Sequence, residues 1–283
     1  MKKNLFPLIA ILSLAHSVAF ADSTSKKAVD DVHLAEVQAF YNELPTNRQK
    51  ELTQIFNEVS VSNDFLTHLT EKTSDPNAKV YLLVQGLEFF EQDLWEPFDI
   101  LQQKNRDSYF LHWSKKDSLA ENIEKFKHSV NRLLQLYPQN QIVVFGFSAG
   151  GVIAVSGWDA MMSELSASDF SRLSLRTVAA VSHGYGFTKT ALMASPFVGK
   201  TTVAIGIGIE GKLHHPQIQR CEQWITTNGD LDIHARANKD GHSPQDFSTP
   251  ICGTDHLHEL SQFGHFSALA YVLRSTLAED ESK

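Results

Sequence analysis

Residues 141–151 read Gln-Ile-Val-Val-Phe-Gly-Phe-Ser-Ala-Gly-Gly, a short apolar run that leads directly into a Gly-x-Ser-x-Gly pattern. The run from Ile142 to Phe145 has no polar residue, which is typical of a parallel strand buried on both faces. Gly146 and Gly150 lack a Cβ, so the chain can turn sharply and a helix can begin close beside the strand. Ser148 is therefore predicted at the strained tip of a strand–turn–helix elbow, where its hydroxyl would serve as a nucleophile. A plain tight turn is the alternative interpretation.

The first 21 residues have the composition of a secretory signal peptide. Lys2 and Lys3 form a basic start, residues 5–14 are mostly apolar, and Ala19-Phe20-Ala21 supplies a small-x-small cleavage site. The segment is too short for a lasting membrane span, and no later apolar run approaches the roughly 18 residues that a span needs. We therefore expect an exported protein, periplasmic or secreted after cleavage near Ala21, with no permanent membrane span.

The length and charge of the remaining chain narrow its class. Cleavage would leave about 262 residues, which suits one large α/β domain with a sizeable core. The formal charge at pH 7 is −8, and loss of Lys2 and Lys3 makes it −10. An acidic protein is a poor partner for nucleic acid or for an anionic lipid surface. We therefore expect neither nucleic acid nor an anionic membrane surface as a partner.

The pattern of elements changes near residue 78. A helical pattern covers residues 28–73, so residues 22–77 are predicted to form a helical N-terminal extension. From residue 78 to 283, strands alternate with helices; the predicted strands are Val80–Val84, Tyr109–Trp113, residues 142–145, Val178–Val181 and Trp224–Thr227. Ser118-x-x-Glu121 is a capping box that predicts the start of a helix. This alternation predicts an α/β fold, a mainly parallel sheet with helices on both faces.

A nucleophilic serine needs a base, and the base needs a carboxylate that orients it. Residues 224–232 are a predicted strand followed by a glycine turn, which places Asp232 at the loop tip and Asp230 within the turn. Asp230 can instead bond its own backbone, as turn aspartates do. We therefore favour Asp232 as the acid, with Asp230 as the alternative.

The candidate base follows the candidate acid along the chain. His265 comes directly after Gly264, at the start of the last predicted helix, and completes the order Ser, Asp, His. His256 and His258 are the alternative bases.

An oxyanion hole needs two backbone N–H groups directed at the negative charge that develops on the substrate oxygen. Ala149 directly follows the serine and would supply one N–H at the N-terminus of the helix. The loop after the first strong strand would supply the other, from Leu87, with Glu88 as the less favoured choice.

These residues together resemble the α/β-hydrolase superfamily, and within it lipase- and esterase-like serine hydrolases. The resemblance rests on Gly-Phe-Ser-Ala-Gly-Gly after an apolar strand, Gly229-x-x-Asp232 and Gly264-His265, and it covers roughly residues 78–280. It implies cleavage of carboxylic esters through an acyl-enzyme, with no cofactor. The family usually has a histidine before the glycine of the oxyanion loop, where this chain has Gln85.

Two cysteines are an even pair in a chain expected to be exported, so a disulfide between Cys221 and Cys252 is predicted. Two unpaired thiols are the alternative.

Residues 183–220 are longer than a crossover helix needs, so they are a possible cap over the serine. Their apolar side chains would suit an acyl chain, although they would equally suit a packed core. A metal site is a separate hypothesis, built on His214, His215, Asp255, His256, His258 and Glu259. No segment has His-x-x-x-His or Cys-x-x-Cys spacing, so we expect no catalytic metal.

We therefore expect an exported serine hydrolase that cleaves lipid or other acyl esters. An amide- or thioester-cleaving hydrolase uses the same acyl-enzyme step and stays an alternative. A hydrolase fold that only binds is the third possibility.

Overall fold

The computed structural model describes residues 39–61, 64–70, 75, 77–86, 91–103, 106–178, 221–225, 257–260 and 267–281. The chain divides into two compact units, residues 1–46 and 47–283. In the first unit residues 39–43 are helical, and the N–H of Leu44 donates to the carbonyl oxygen of Tyr41 at 3.2 Å. The predicted division of the chain at residues 77 and 78 stays a prediction.

The second unit, together with Thr46, contains the elements that surround the candidate site. In chain order they are α1 (Thr46–Val61), β1 (Leu66–His68), β2 (Val80–Val84), α2 (Glu91–Gln103), β3 (Ser108–Leu111), α3 (Leu119–Leu136), β4 (Ile142–Phe147), α4 (Ala149–Met161), α5 (Ala167–Ser171), β5 (Leu173–Val178), β6 (Cys221–Ile225), β7 (Leu257–Glu259) and α6 (Ser267–Glu281).

Within the described residues, one sheet of seven strands runs in the order β1-β3-β2-β4-β5-β6-β7. Every neighbouring pair is parallel except β1 with β3, which is antiparallel. Strands β2 and β4 lie in the middle, and every residue of both is buried. Continuous burial explains why these strands read as unbroken apolar runs and do not alternate with polar residues. The predicted α/β fold with a mainly parallel sheet is confirmed.

Helices cover both faces of the sheet. On one face α3 and α4 pack together over side chains such as Leu82 and Val144, and Phe126 of α3 is fully buried there. The other face meets α2, where the rings of Phe98 and Phe110 make an edge contact at 5.4 Å. Burial on two faces hides most of the large apolar side chains among the described residues, and such burial is the main favourable contribution to folding.

The start of α3 follows the predicted capping box. The N–H of Glu121 donates to the Ser118 hydroxyl at 3.2 Å, and the Glu121 carboxylate accepts from the Ser118 N–H at 2.6 Å. Two amides that the helix cannot satisfy by itself are thereby bonded.

The last helix is tied to the amino end of the central strand β2. The Tyr81 hydroxyl donates to Asp280 at 2.6 Å, and Lys79 donates to the same carboxylate. Burial, followed by the neighbouring carboxylate, raises the pKa of Tyr81 above its usual value. The phenol therefore stays protonated and remains a donor throughout the physiological pH range.

One short segment differs from its prediction. Residues 66–68 lie within the region predicted as helical, yet they form the strand β1, with Leu66 beside Leu111 and His68 beside Tyr109. Pairing with an open sheet edge outweighs the helical pattern here, because tertiary context overrides local preference in so short a segment.

Candidate active site

Ser148 occupies the turn between β4 and α4. Its backbone has φ 50° and ψ −122°, and among the described residues no other non-glycine residue has a positive φ. Such a conformation costs about 1–3 kcal/mol and persists only where surrounding contacts enforce it. Two hydrogen bonds hold the Ser148 backbone in this conformation. Its N–H donates to the carbonyl oxygen of Val178 at 2.9 Å, and its carbonyl oxygen accepts from the Gly151 N–H at 2.9 Å. The predicted strained elbow is confirmed in its backbone.

Two glycines allow the elbow to close. A Cβ at Gly146 would lie 2.7 Å from the Cα of Gly151, across the turn. A Cβ at Gly150 would lie 2.0 Å from the carbonyl oxygen of Gln85 and 2.4 Å from that of Val84. Distances this short are not tolerated between non-bonded atoms, so the first turn of α4 touches the end of β2 only because residue 150 is glycine.

Ser148 precedes the N-terminus of α4, and its hydroxyl makes no capping hydrogen bond to that helix. Ala149 is the first residue of the helix and is buried. The first amides of a helix lack intrahelical acceptors, and together they carry a partial positive charge. The Ser148 side chain thus stands beside a group of amides that favours negative charge.

The end of β2 is held by Trp113, which follows β3. The indole N–H of Trp113 donates to the carbonyl oxygen of Gln85 at 2.7 Å. In return, the side-chain amide of Gln85 donates to the carbonyl oxygen of Trp113 at 3.0 Å. Trp113 is 3% exposed, so the indole lies in the core. Sequence reasoning did not find this pair, because no local motif marks a bond between residues 28 positions apart.

His112 lies beside this pair and is half-buried. Burial, and then the charge of Lys125, lowers the pKa of His112 below its usual value. The imidazole is therefore neutral at pH 7.

Register across the sheet fixes where His258 lies. Phe147, Val178, Trp224 and His258 are consecutive partners on four adjacent strands. Because neighbouring strands are about 4.8 Å apart, the Cα atoms of Phe147 and His258 are separated by about 14 Å. The His258 imidazole contacts Glu222 at 2.7 Å and stacks on Trp224 with ring centroids 4.8 Å apart. His258 is therefore out of hydrogen-bond reach of Ser148, which removes it as an alternative base.

Comparison with known proteins identifies the architecture. No family model and no curated protein matches the sequence. Among solved structures, lipase BlEst2 of Bacillus licheniformis in its mature form matches with 12% identity and a TM-score of 0.50, over 76% of this chain and 99% of that one. The same lipase in its propeptide form matches with 12% identity and a TM-score of 0.54, over 76% of this chain and 54% of that longer one. The chain has the α/β-hydrolase fold.

Several predicted site residues lie outside the described residues. They are Leu87, Glu88, Asp230, Asp232, Cys252, His256 and His265, together with the signal segment and the possible cap 183–220. Cys221 is buried at the start of β6. Of the predicted catalytic groups, the structure thus places Ser148 and Ala149, and the rest stay predictions.

Within the described residues, no group of three or more His, Cys, Asp or Glu side chains is arranged to hold a metal ion. Likewise, none of the described helices has the length and apolarity needed to span a bilayer.

Proposed function

We propose that this α/β hydrolase is a serine hydrolase that cleaves carboxylic esters, with Ser148 as the nucleophile. The observation that carries the proposal is the backbone of Ser148, held at φ 50° directly before α4. Strain of this kind, with surrounding contacts that enforce it, is characteristic of functional positions. The similarity to a structure described as a lipase supports the same class.

The proposed reaction has two halves. The Ser148 hydroxyl attacks the ester carbonyl while His265 accepts its proton, and the alcohol then departs with that proton as the carbon–oxygen bond breaks. Water next attacks the acyl-serine, gives a proton to His265, and releases the carboxylic acid as Ser148 regains its hydrogen. Asp232 orients the imidazole and stabilises its charged form, with Asp230 as the alternative acid.

Two amides would bind the oxyanion of each tetrahedral intermediate. Ala149 is well suited to be one donor, because its N–H begins α4 beside the serine. The second donor is proposed to be Leu87, one residue past the buried Gly86, and Glu88 is the alternative. Loss of one such donor typically lowers kcat by about 10²–10³-fold.

The positions of the strand ends support delivery of the other two groups. Ile225 ends β6, which lies two strands from β4, a separation of about 10 Å. Asp232 follows Ile225 by seven positions, and an extended chain covers about 3.3 Å per residue. His265 follows the end of β7 at Glu259 by six positions. Because β4, β6 and β7 all run parallel, both loops leave the sheet at the edge where Ser148 stands.

The substrate, localisation and disulfide belong to the same proposal. An apolar cap formed by residues 183–220 would favour lipid or other acyl esters, with no metal or other cofactor required. The signal-like segment 1–21 supports export, and an oxidising compartment would favour a bond between Cys221 and Cys252.

The test compares the mature wild type with Ser148→Ala on aryl esters of graded acyl length. We expect Ser148→Ala to lose at least about 10³-fold in kcat, because the covalent step is removed. Ser156→Ala is the matched control, since Ser156 lies on α4 eight residues later and its buried hydroxyl has no bonding partner within the described structure. Equal hydrolysis by wild type and Ser148→Ala would contradict the proposal.

Companion measurements distinguish the alternatives. Asp232→Asn is expected to lose far more activity than Asp230→Asn, and the reverse result would exchange the two roles. Esters, thioesters and anilides of one acyl group would show which bond is cleaved. A protein that only binds would show neither turnover nor labelling by an organophosphonate, and loss of activity on exhaustive chelation would favour a metal.

A further inference from the structure

The Gln85 peptide is held from two sides. On one side its carbonyl oxygen accepts the indole N–H of Trp113 at 2.7 Å. On the other side the same oxygen lies against Gly150, where an added Cβ would be only 2.0 Å away. The chain of contacts thus runs from the turn that holds Ser148, through the first turn of α4, to the first residue after β2.

This arrangement controls the direction of the next amides. A trans peptide is planar, so a carbonyl fixed toward Trp113 also fixes the plane that contains the N–H of Gly86. The N–H of Leu87, the proposed second oxyanion donor, belongs to the next peptide along the chain. A rotation of the Gln85 peptide would therefore change the path along which the chain reaches that donor.

Packing alone does not explain the indole of Trp113. Trp158 is also buried in the same core, at 1% exposure, and its indole N–H has no bonding partner within the described structure. A tryptophan ring is thus accommodated in this core without a hydrogen bond. At Trp113 the bond exists, and the side chain of Gln85 returns a second bond to the Trp113 carbonyl.

We propose that Trp113 and Gln85 are positioning residues. They would hold the start of the oxyanion loop, at Gln85 and Gly86, against the turn between β4 and α4 that contains Ser148. The inference rests on the proposed hydrolase function, and it adds two residues that act through backbone and do not touch the substrate. Without the indole N–H, the Gln85 carbonyl loses its donor and the peptide between Gln85 and Gly86 is free to rotate. A displaced donor weakens stabilisation of the oxyanion more than it weakens binding of the neutral ester.

The experiment measures kcat, KM and the rate of organophosphonate labelling for Trp113→Phe and for Trp158→Phe. Both changes remove a buried indole N–H and a similar volume, but only the first removes a hydrogen bond. We expect Trp113→Phe to lower kcat and the labelling rate by about 10–100-fold, with KM within about twofold of wild type. Trp158→Phe is expected to keep kcat, whatever stability it loses.

A second variant keeps the test decisive if Trp113→Phe does not fold. Gln85→Met retains the length of the side chain and removes its donor, so it is expected to lower kcat in the same direction. Where both single variants fold, the double variant should lose less than the product of the two separate effects, because both act on one unit.

The outcomes separate the two proposals. Suppose that wild type turns over faster than Ser148→Ala, so that the hydrolase proposal holds. If Trp113→Phe and Gln85→Met then both have the same kcat as Trp158→Phe, only the positioning role is overturned. A rise in KM with unchanged kcat would also overturn it. If wild type does no more than Ser148→Ala, the hydrolase proposal is wrong and the positioning role falls with it.

Discussion

The carbonyl oxygen of Gln85 would stand 2.0 Å from a Cβ at Gly150, so the end of β2 and the first turn of α4 are in direct backbone contact. The contact joins the proposed oxyanion loop to the nucleophile turn. It leaves no room for even one methyl group.

Gly150→Ala is therefore expected to force β2 and α4 apart and to lower kcat by more than about tenfold. Gly157→Ala is the matched control, because it also overpacks α4 but does so away from β2. Its added Cβ would lie 2.2 Å from the Phe126 ring, on the face of α4 that packs against α3. Overpacking of this kind costs about 1–3 kcal/mol in the free energy of unfolding. Urea unfolding and activity per folded molecule check the prediction, which is wrong if both variants lose activity equally.

The strain at Ser148 predicts an effect on stability that is independent of catalysis. Ser148→Gly and Ser148→Ala both lack the hydroxyl, but only glycine tolerates φ 50° without a Cβ penalty. We expect Ser148→Gly to be more stable than Ser148→Ala by about 1 kcal/mol in chemical denaturation. Equal stability of the two variants would show that the turn carries no strain.

His112 predicts how stability depends on pH. Its pKa is lowered in the folded protein, mainly by burial, so the unfolded chain binds a proton more readily below the ordinary value of 6.5. The contribution of this residue to the free energy of unfolding is therefore fully present above pH 6.5, and it is lost as the pH falls toward the lowered pKa. His112→Gln is expected to flatten the fall in unfolding free energy between pH 7 and pH 5.

The prediction is contradicted if the slope of unfolding free energy against pH is the same in His112→Gln and in wild type, since burial of His112 would then not contribute to it.

The predicted disulfide is checked by mass and by unfolding. Protein recovered from the periplasm or medium should lack residues 1–21, and the Cys221–Cys252 bond should make it 2 Da lighter than its reduced form. Closing this loop would stabilise the fold by roughly 3–4 kcal/mol on a chain-entropy estimate. Reduction, or Cys221→Ala with Cys252→Ala, should lower the urea midpoint; free thiols in the unreduced protein would contradict the bond.

The sequence was informative where local chemistry determines structure. A serine between two glycines, directly after an apolar run, is a local pattern that few structures other than a strand–turn–helix elbow explain. The Ser118 and Glu121 capping box is equally local, and it marks the start of α3 correctly.

Features that depend on distant partners escaped prediction. The strand β1 is three residues long and exists because β3 offers it an edge. Helix α2 contains Pro97, a residue that disfavours helix interiors, so the local sequence argued against it. The Gln85–Trp113 pair joins two strand ends that only the folded sheet brings together.

The bond between Tyr81 and Asp280 has a consequence for synthesis. These residues are 199 positions apart, so the phenol of a central strand stays without its acceptor until nearly the whole unit has left the ribosome. A chain arrested before α6 would expose the face of the sheet that this helix covers. Such a nascent chain would lack both hydrogen bonds that Asp280 accepts at the start of β2.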